Sequence, residues 1–356
     1  MLRVYFATLL TIVTSLFGCG PALLVIENAS NAATPSAVAG SLSPGHRTSE
    51  GHESNQTTAD ASTVADAEQS AGLVLVNTTI DWGLGTGAGT GMVVDASGLV
   101  VTNHHVVQGS TSISVTDSAG NTYKASVVGY DTTDDVAVLQ LGGASGLATI
   151  TADTTLPSIG ASITAVGNSQ GGGQFVAAPG QVTDTGVDIT VRNDDGSQSY
   201  LSDLIQMDAN IVPGDSGGAV YDTSGEVVGM NVAGSEDPNT SVSYSIPMGT
   251  VITAADDIAQ GKTSATITTT RGGALGVTVG RSGQIVGVVS GGAADKAGIT
   301  AGSTITKVDG QTIADQTQLA ATLAQYQAGD KVQVSWSDST GATHKATVTL
   351  QEAPLP

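Results

Sequence analysis

Short apolar runs, many of them rich in β-branched residues, recur along the middle of this chain, and glycine, aspartate and other turn-forming residues separate them. The runs are Leu73–Val76, Gly91–Val94, Leu99–Thr102, Ser112–Val115, Ala125–Gly129, Val136–Leu141, Ser162–Val166, Val187–Val191, Gly225–Asn231 and Ser241–Ile246. Segments this short, at this spacing, indicate the strands of an all-β barrel or sandwich.

The composition supports a chain built mostly from strands and turns. Glycine occurs 47 times, aromatic residues make up only 3% of the chain, and valine, threonine and serine are frequent. These residues favour strands and tight turns over helices. One helical pattern, Pro247–Gln260, follows the β-rich stretch, and Gly261 is well placed to stop it. We therefore predict a β domain over residues 72–262.

The balance of acidic and basic residues limits which partners the protein is expected to bind. Acidic residues outnumber basic ones 32 to 11, which gives a formal net charge of −21. A surface of this sign repels phosphate backbones, so no nucleic-acid partner is expected. Cys19 is the one cysteine, so no intrachain disulfide can form.

The N-terminal 26 residues carry a positive start followed by an uncharged, largely apolar stretch. Three interpretations stay open: a cleaved signal peptide, an uncleaved membrane anchor, and a lipoprotein signal in which Leu16–Cys19 places a lipid on Cys19. Each puts the body of the protein outside the cytoplasm. Residues 27–71 are of low complexity and have few large apolar side chains, so we predict a disordered linker there.

The octapeptide Pro213–Val220 contains the sequence Gly-Asp-Ser-Gly-Gly and leads into an apolar run. Glycines allow backbone N–H groups to crowd around a reacting carbonyl oxygen, as an oxyanion hole requires. The alternative is an ordinary glycine-rich turn, whose serine hydrogen-bonds its own backbone. A nucleophilic serine needs a base and a group that orients the base, so the two interpretations differ in what the rest of the chain must supply.

Candidates for both groups precede Ser216. His104 and His105 close one β-run, and Asp134 and Asp135 stand at the head of another. Adjacent histidines in a strand point to opposite faces, so they are not expected to share a metal ion, and we predict no metal site. A partly buried aspartate could fix the tautomer of one histidine.

Glycines at alternate positions over Gly85–Gly91 resemble a dinucleotide-binding loop. That motif requires a strand before it and a helix after it. Here Met92–Val94 continues as a strand, so we predict no bound cofactor.

Taken together, these segments resemble the HtrA/Deg serine proteases, over roughly residues 83–350. The specific matches are Gly89–Gly91, Thr102–Val106, Asp135–Val138, Val166–Asn168, Gln206–Ala209 and Gly214–Gly218. The resemblance implies a chymotrypsin-like double β-barrel. It selects His105 as base, Asp135 as the residue that orients it, and Ser216 as nucleophile. It also implies an oxyanion hole at Gly214, Asp215 and Ser216.

By chymotrypsin-type alignment, Asn210 would lie at the base of the substrate pocket. Met230, Asn231 and Val232 would form one wall, so we expect a small or medium apolar side chain before the cleaved bond. No acidic residue stands at position 210 to attract arginine or lysine.

The C-terminal hundred residues resemble a bacterial PDZ domain, which is a small α+β fold, over residues 263–352. Leu275, Gly276 and Val277 match the loop that binds a C-terminal carboxylate, beside which a peptide adds as a strand. Leu319 and Leu323, four residues apart on a predicted helix, would line the side-chain pocket, with core packing as the alternative for at least one of them.

The resemblance implies an extracytoplasmic serine endopeptidase of the bacterial envelope that degrades misfolded or damaged proteins and captures exposed C-termini. Expected partners are unfolded polypeptides and peptide C-termini, with a possible homotrimer, and with the membrane touched only through the N-terminus. Two alternatives remain: a catalytically silent PDZ adaptor or holdase, and a processing protease dedicated to one partner.

Overall fold

The computed structural model describes residues 4–5, 62–83, 85–192, 198–235, 242–280 and 283–356. The predicted signal or anchor segment lies outside these residues, apart from strand β1 (Val4–Tyr5), and so does most of the predicted linker. Within the described ranges, the helices lack the combination of length and apolar character that crossing a membrane would require.

The first barrel is formed by strands joined in a closed antiparallel ring. Strand β2 (Thr63–Val64) precedes this barrel in the chain. The strands of the barrel are β3 (Leu73–Ile80), β4 (Gly85–Asp95), β5 (Leu99–Thr102), β6 (Ser110–Asp117), β7 (Thr122–Asp131) and β8 (Val136–Leu141). The order around the ring is β7-β6-β3-β4-β5-β8, and the pairing of β7 with β8 closes it. A one-turn helix, α1 (His104–Val107), lies between β5 and β6.

The second barrel is built in the same way. Its strands are β9 (Ser162–Gly167), β10 (Val176–Arg192), β11 (Gln198–Met207), β12 (Ala219–Tyr221), β13 (Val227–Ser235) and β14 (Ser243–Pro247). The order β9-β10-β11-β14-β13-β12 closes through the pairing of β12 with β9. Helix α2 (Met248–Ala259) follows and buries Met248, Val251 and Ile258. The two closed rings confirm the predicted double barrel.

The predicted linker over residues 27–71 extends too far. Strand β2 pairs with β10, and the Ala65 N–H donates to the Phe175 carbonyl at 3.0 Å. Further along, the Tyr221 hydroxyl donates to the Gln69 carbonyl at 3.0 Å. These partners lie more than a hundred residues away in sequence, so the polar composition of this stretch did not reveal them. Residues 62–71 are therefore an ordered part of the second barrel's surface.

The C-terminal domain has a core of its own around Leu275, Ile305, Val334 and Trp336. Its elements are β16 (Gly273–Ala274), β17 (Val277–Val279), β18 (Ile285–Val288), α3 (Ala293–Lys296), β19 (Thr304–Val308), β20 (Gln311–Thr312), α4 (Gln316–Leu323), β21 (Lys331–Ser337), β22 (Thr343–Thr349) and β23 (Gln351–Glu352). This mixture of short helices and small sheets confirms the predicted α+β domain.

The segment before this domain belongs in part to the first barrel. Strand β15 (Ile267–Thr268) adds to β7, with Ile267 opposite Asp131 and Thr268 opposite Tyr130. The predicted boundary between the two domains, at residues 262 and 263, therefore precedes a strand that pairs with the first barrel.

Candidate active site

His105 and Asp135 are held together by two contacts. The Nδ1 atom of His105 lies 2.7 Å from Asp135 Oδ2, and the backbone N–H of His105 donates to Asp135 Oδ1 at 2.9 Å. Both side chains are more than nine-tenths buried. A carboxylate on Nδ1 leaves the other ring nitrogen, Nε2, as the one that can accept a proton.

The backbone holds this pair from both sides. Asp135 has a left-handed φ of 52°, which is uncommon for a residue with a side chain. Its carbonyl oxygen accepts hydrogen bonds from the His104 N–H and from Asn103 Nδ2, both at 3.1 Å. Helix α1 and the turn before β8 are thereby tied to one another, so His105 and Asp135 are presented as a unit.

His104, the neighbouring histidine, makes a different side-chain contact. Its ring stacks on Tyr130, with centroids 4.6 Å apart and planes 21° from parallel. Burial lowers the pKa of His104, and the nearby Asp135 and the backbone of Pro356 only partly oppose that effect. A neutral, stacked histidine is a packing residue of the first barrel. The two adjacent histidines thus have different partners, and they lie on a short helix rather than in a strand.

Ser216 lies in the turn before β12, buried against the first barrel. Its carbonyl oxygen accepts the Thr90 N–H at 2.9 Å. A Cβ atom at Gly89 would lie 2.6 Å from Val106 Cγ1 and 3.3 Å from the Ser216 carbonyl oxygen. Glycine at this position therefore allows the helix that carries His105 and the turn that carries Ser216 to approach the same strand.

Thr90 and Asn168 support the serine turn, a role that the sequence analysis missed although both belong to the matched motifs. Thr90 Oγ1 donates to the Gly214 carbonyl at 2.8 Å and accepts the Asn168 N–H at 2.8 Å. The Gln170 N–H donates to the Pro213 carbonyl at 2.6 Å. Both are polar residues in short motifs, and that property could have indicated that they support the glycine-rich serine turn.

The oxyanion prediction needs one correction, at Asp215. The Asp215 N–H donates to the Val212 carbonyl at 3.1 Å, so it is not directed at a substrate. Gly214 has a φ of +95°, a conformation that glycine adopts without strain. Of the three predicted donors, Gly214 and Ser216 remain candidates.

The Asp215 side chain is buried beneath this turn. Its Oδ2 atom accepts the Val212 N–H at 2.9 Å, while Oδ1 has no hydrogen-bond partner among the described residues. Burial raises the pKa of Asp215 to about 7, and the hydrogen bond from Val212 offsets only part of that rise. The carboxyl group next to Ser216 therefore changes its charge near neutral pH.

The predicted substrate-pocket residues are not brought together as expected. Asn210 is exposed, whereas Met230, Asn231 and Val232 are fully buried. Met230 and Val232 belong to a core cluster shared by strands of both barrels and helix α2. Asn231 braces the serine turn instead: its carbonyl accepts the Gly217 N–H at 2.9 Å.

In the C-terminal domain, Leu275 is buried and Gly276 has a φ of +72°. Val277 opens β17, which among the described strands pairs with β18 alone and so has an edge left for an added strand. Leu319 packs in the domain core. Leu323 is only partly buried and lines a groove of about 520 Å³ next to Tyr130 of the first barrel.

Three carboxylates of the described chain come close enough to hold a metal ion. Oxygen atoms of Asp153, Asp222 and Glu226 lie within 4.8 Å of one another. Two of these groups already accept backbone N–H groups, Asp153 from Thr155 and Asp222 from Ser224. Nothing connects this cluster to the chemistry of Ser216.

Comparisons with known proteins identify two kinds of domain in this chain. A trypsin-like peptidase domain model matches residues 89–230, and a PDZ domain model matches residues 222–337. The serine protease PepD of Mycobacterium tuberculosis is 30% identical over 77% of this chain and 62% of its own length. A serine protease Do-like HtrA of Lactococcus lactis is 33% identical over 74% of this chain and 71% of its own length.

Two further similarities were found. A probable periplasmic serine protease do/HhoA-like of Haemophilus influenzae is 31% identical over 74% of this chain and 58% of its own length. A solved structure of the HtrA-type protease AlgW with tripeptide is 26% identical, with a TM-score of 0.48 over 82% of this chain and 96% of that one.

Proposed function

This chain belongs to the HtrA family of serine proteases, and we propose that it is a serine endopeptidase whose nucleophile is Ser216. The proposal assigns His105 as the general base and Asp135 as the residue that orients it. The observation on which it depends most is the 2.7 Å contact between His105 Nδ1 and Asp135 Oδ2 in a buried setting. The proposed protease domain covers residues 72–262 together with the ordered stretch 62–71, and the proposed PDZ domain covers 263–352.

The proposed reaction is acyl transfer in two steps. Ser216 Oγ attacks the carbonyl carbon of the peptide bond while His105 Nε2 removes the hydroxyl proton. The imidazolium then delivers that proton to the leaving amine as the C–N bond breaks. Water next attacks the acyl carbon while His105 Nε2 takes a proton from it, and that proton passes to Ser216 Oγ as the ester bond breaks. Asp135 stabilises the imidazolium and holds its tautomer throughout.

The proposed oxyanion hole consists of the Gly214 and Ser216 N–H groups. Such donors act where negative charge develops on the carbonyl oxygen, and a preorganised pair lowers the barrier without moving. The hydrogen bonds of Thr90 and Gln170 to the carbonyls of Gly214 and Pro213 support this assignment, because they hold the peptide planes on either side of Gly214.

We infer that the substrates are unfolded polypeptides outside the cytoplasm. The N-terminal segment resembles an export signal, and the Haemophilus relative bears a periplasmic name. The edge of β17 next to Gly276 is the proposed site at which an exposed peptide C-terminus would add as a strand.

A fluorophosphonate probe tests the chemistry. We expect the folded protein to be labelled at Ser216, and Ser216→Ala to abolish labelling without lowering the melting temperature. A folded but unlabelled wild type would contradict the endopeptidase proposal and favour an adaptor or holdase. Digestion of unfolded casein separates a general protease from a dedicated processing enzyme, because the latter should be labelled and yet leave casein intact.

A further inference from the structure

Residues 353–356, which we call the strap, run from the last strand of the PDZ domain back to the first barrel. The Gly109 N–H donates to the Leu355 carbonyl at 2.7 Å, and the Leu355 N–H donates to the Ser110 carbonyl at 3.2 Å. The Leu355 side chain is 4% exposed and packs in the same core cluster as Val106 and Val107 of helix α1. The strap therefore contributes a side chain to a core that belongs to another domain.

Arg271 fastens the strap to the barrel. Its Nη2 atom donates to the carbonyls of Ser110 and Ala353, both at 3.1 Å, and its Nη1 atom lies 3.2 Å from Glu352 Oε2. The Arg271 side chain is 19% exposed, whereas the Glu352 side chain is 59% exposed, so the ion pair stays in contact with water. One guanidinium thus joins the segment that follows α1 to Ala353 at the start of the strap and to Glu352 just before it.

The strap reaches the surroundings of the catalytic base. Pro356 lines a cavity of about 330 Å³ together with His104, His105 and Tyr130. The backbone of Pro356 is close enough to His104 to act on the protonation of its ring. The surroundings of helix α1 thus come in part from the strap.

At its other end, the strap continues a strand of the PDZ domain. The Ala353 N–H donates to the Gly272 carbonyl at 2.9 Å, and β23 pairs with β16 through Gln351 and Ala274. The strap is therefore held at both ends by regular backbone hydrogen bonds.

Helix α1 has only four residues, so its place depends on what packs against it. We propose that the strap, secured by Leu355 and Arg271, is a positioning element for His105. This inference rests on the proposed function, since it takes His105 to be the base. A displacement of about 1 Å at a catalytic group is enough to lower a rate by roughly a hundredfold.

The test compares Leu355→Ala with Leu141→Ala. Both leucines are buried in the same core cluster, but Leu141 ends β8 on the side away from Asp135. We expect similar losses of melting temperature. In Leu355→Ala, kcat on a chromogenic peptide should fall about tenfold with KM within about twofold, and the acid limb of the kcat/KM profile should move. Leu141→Ala should keep the wild-type kcat and pH profile.

Equal effects of the two substitutions on kcat, with the same pH profile in both, would overturn the proposal. If Leu355→Ala does not fold, Arg271→Gln decides, because it removes the guanidinium contacts and leaves the core intact. It should lower kcat and shift the same limb; wild-type values for both would overturn the proposal.

A measurement that does not require catalysis can test the positioning role of the strap independently of the proposed function. Titration of the His105 imidazole by NMR should differ between Leu355→Ala and Leu141→Ala even if the protein hydrolyses nothing. A chain that is inactive but shows this difference would contradict the endopeptidase proposal and support the positioning role of the strap. Identical titrations would overturn that role.

Discussion

Thr90 Oγ1 donates a hydrogen bond to the carbonyl oxygen of Gly214 at 2.8 Å, across the boundary between the two barrels. Thr90 is on a strand of the first barrel, and Gly214 is in the turn that presents Ser216 from the second. The same hydroxyl accepts the N–H of Asn168, so its orientation is determined by two partners. This one side chain therefore links the geometry of the proposed oxyanion hole to the packing of the barrels.

Removing that hydroxyl should impair catalysis more than folding. Thr90→Val keeps the shape of the side chain but releases the Gly214 carbonyl, so the peptide planes of the turn can rotate. Loss of one oxyanion donor costs about 10²- to 10³-fold in kcat, and we expect this indirect change to cost about tenfold or more. Thr90→Ser, which retains the hydroxyl, is the matched control. Equal kcat values for the two variants would contradict the assignment.

Asp135 and Asp134 provide a test on adjacent carboxylates. Asp135→Asn keeps the size of the side chain but favours the wrong histidine tautomer, and kcat should fall on the order of 10³- to 10⁴-fold. Asp134 is partly buried; burial and the neighbouring Asp131 and Asp203 raise its pKa. Both hydrogen bonds described for His105 are made with Asp135, so Asp134→Asn should keep kcat within about twofold. Steady-state kinetics on one peptide substrate compares them, and a comparable loss in both would refute the role of Asp135.

Gly276 offers a test of the proposed carboxylate loop. Gly276 and Gly310 both have positive φ, of +72° and +85°, so alanine costs roughly 1 kcal/mol of backbone strain at either position. A Cβ at Gly276 would also lie 2.7 Å from Gln351 Nε2, whereas a Cβ at Gly310 would meet nothing within 4 Å.

We therefore expect Gly276→Ala to weaken binding of a fluorescent peptide with a free C-terminal valine by about tenfold or more, and Gly310→Ala to leave it nearly unchanged. Fluorescence anisotropy measures both affinities. Equal affinities would place the peptide site elsewhere on the domain.

The parts of this molecule that the sequence predicted are those determined by local pattern. The places of most strands and of the helix after residue 247 follow from residue spacing, although strands such as β4 and β10 run well beyond the predicted segments. The choice of His105, Asp135 and Ser216 follows from short motifs that resemble those of a known family. The missed features depend on contacts between residues far apart in the chain. The packing of Leu355 in the first barrel is one example, since the sequence near position 355 does not indicate which residues it contacts. The burial of Met230 and Val232 is another, because it depends on packing among strands of both barrels and helix α2.

Asp215 should make the stability of the protein depend on pH. Its folded-state pKa, raised by burial from the ordinary 3.8 to about 7, means that the folded protein holds this proton more tightly than the unfolded chain. The folded state thus binds more protons between these two pKa values, and the free energy of unfolding must fall as the pH rises through that window. The stabilisation is complete below about pH 3.8 and is lost above about pH 7.

Asp215→Asn removes this titration while keeping the shape of the side chain. Relative to wild type, its free energy of unfolding should therefore rise between pH 4 and pH 8, by up to about 4 kcal/mol at roughly 1.4 kcal/mol per pH unit. Urea denaturation at a series of pH values measures the difference. Asp256→Asn, at an exposed position on α2, is the control and should show a difference that changes little with pH. A stability difference for Asp215→Asn that stays constant from pH 4 to pH 8 would mean that the buried carboxyl does not titrate in this window.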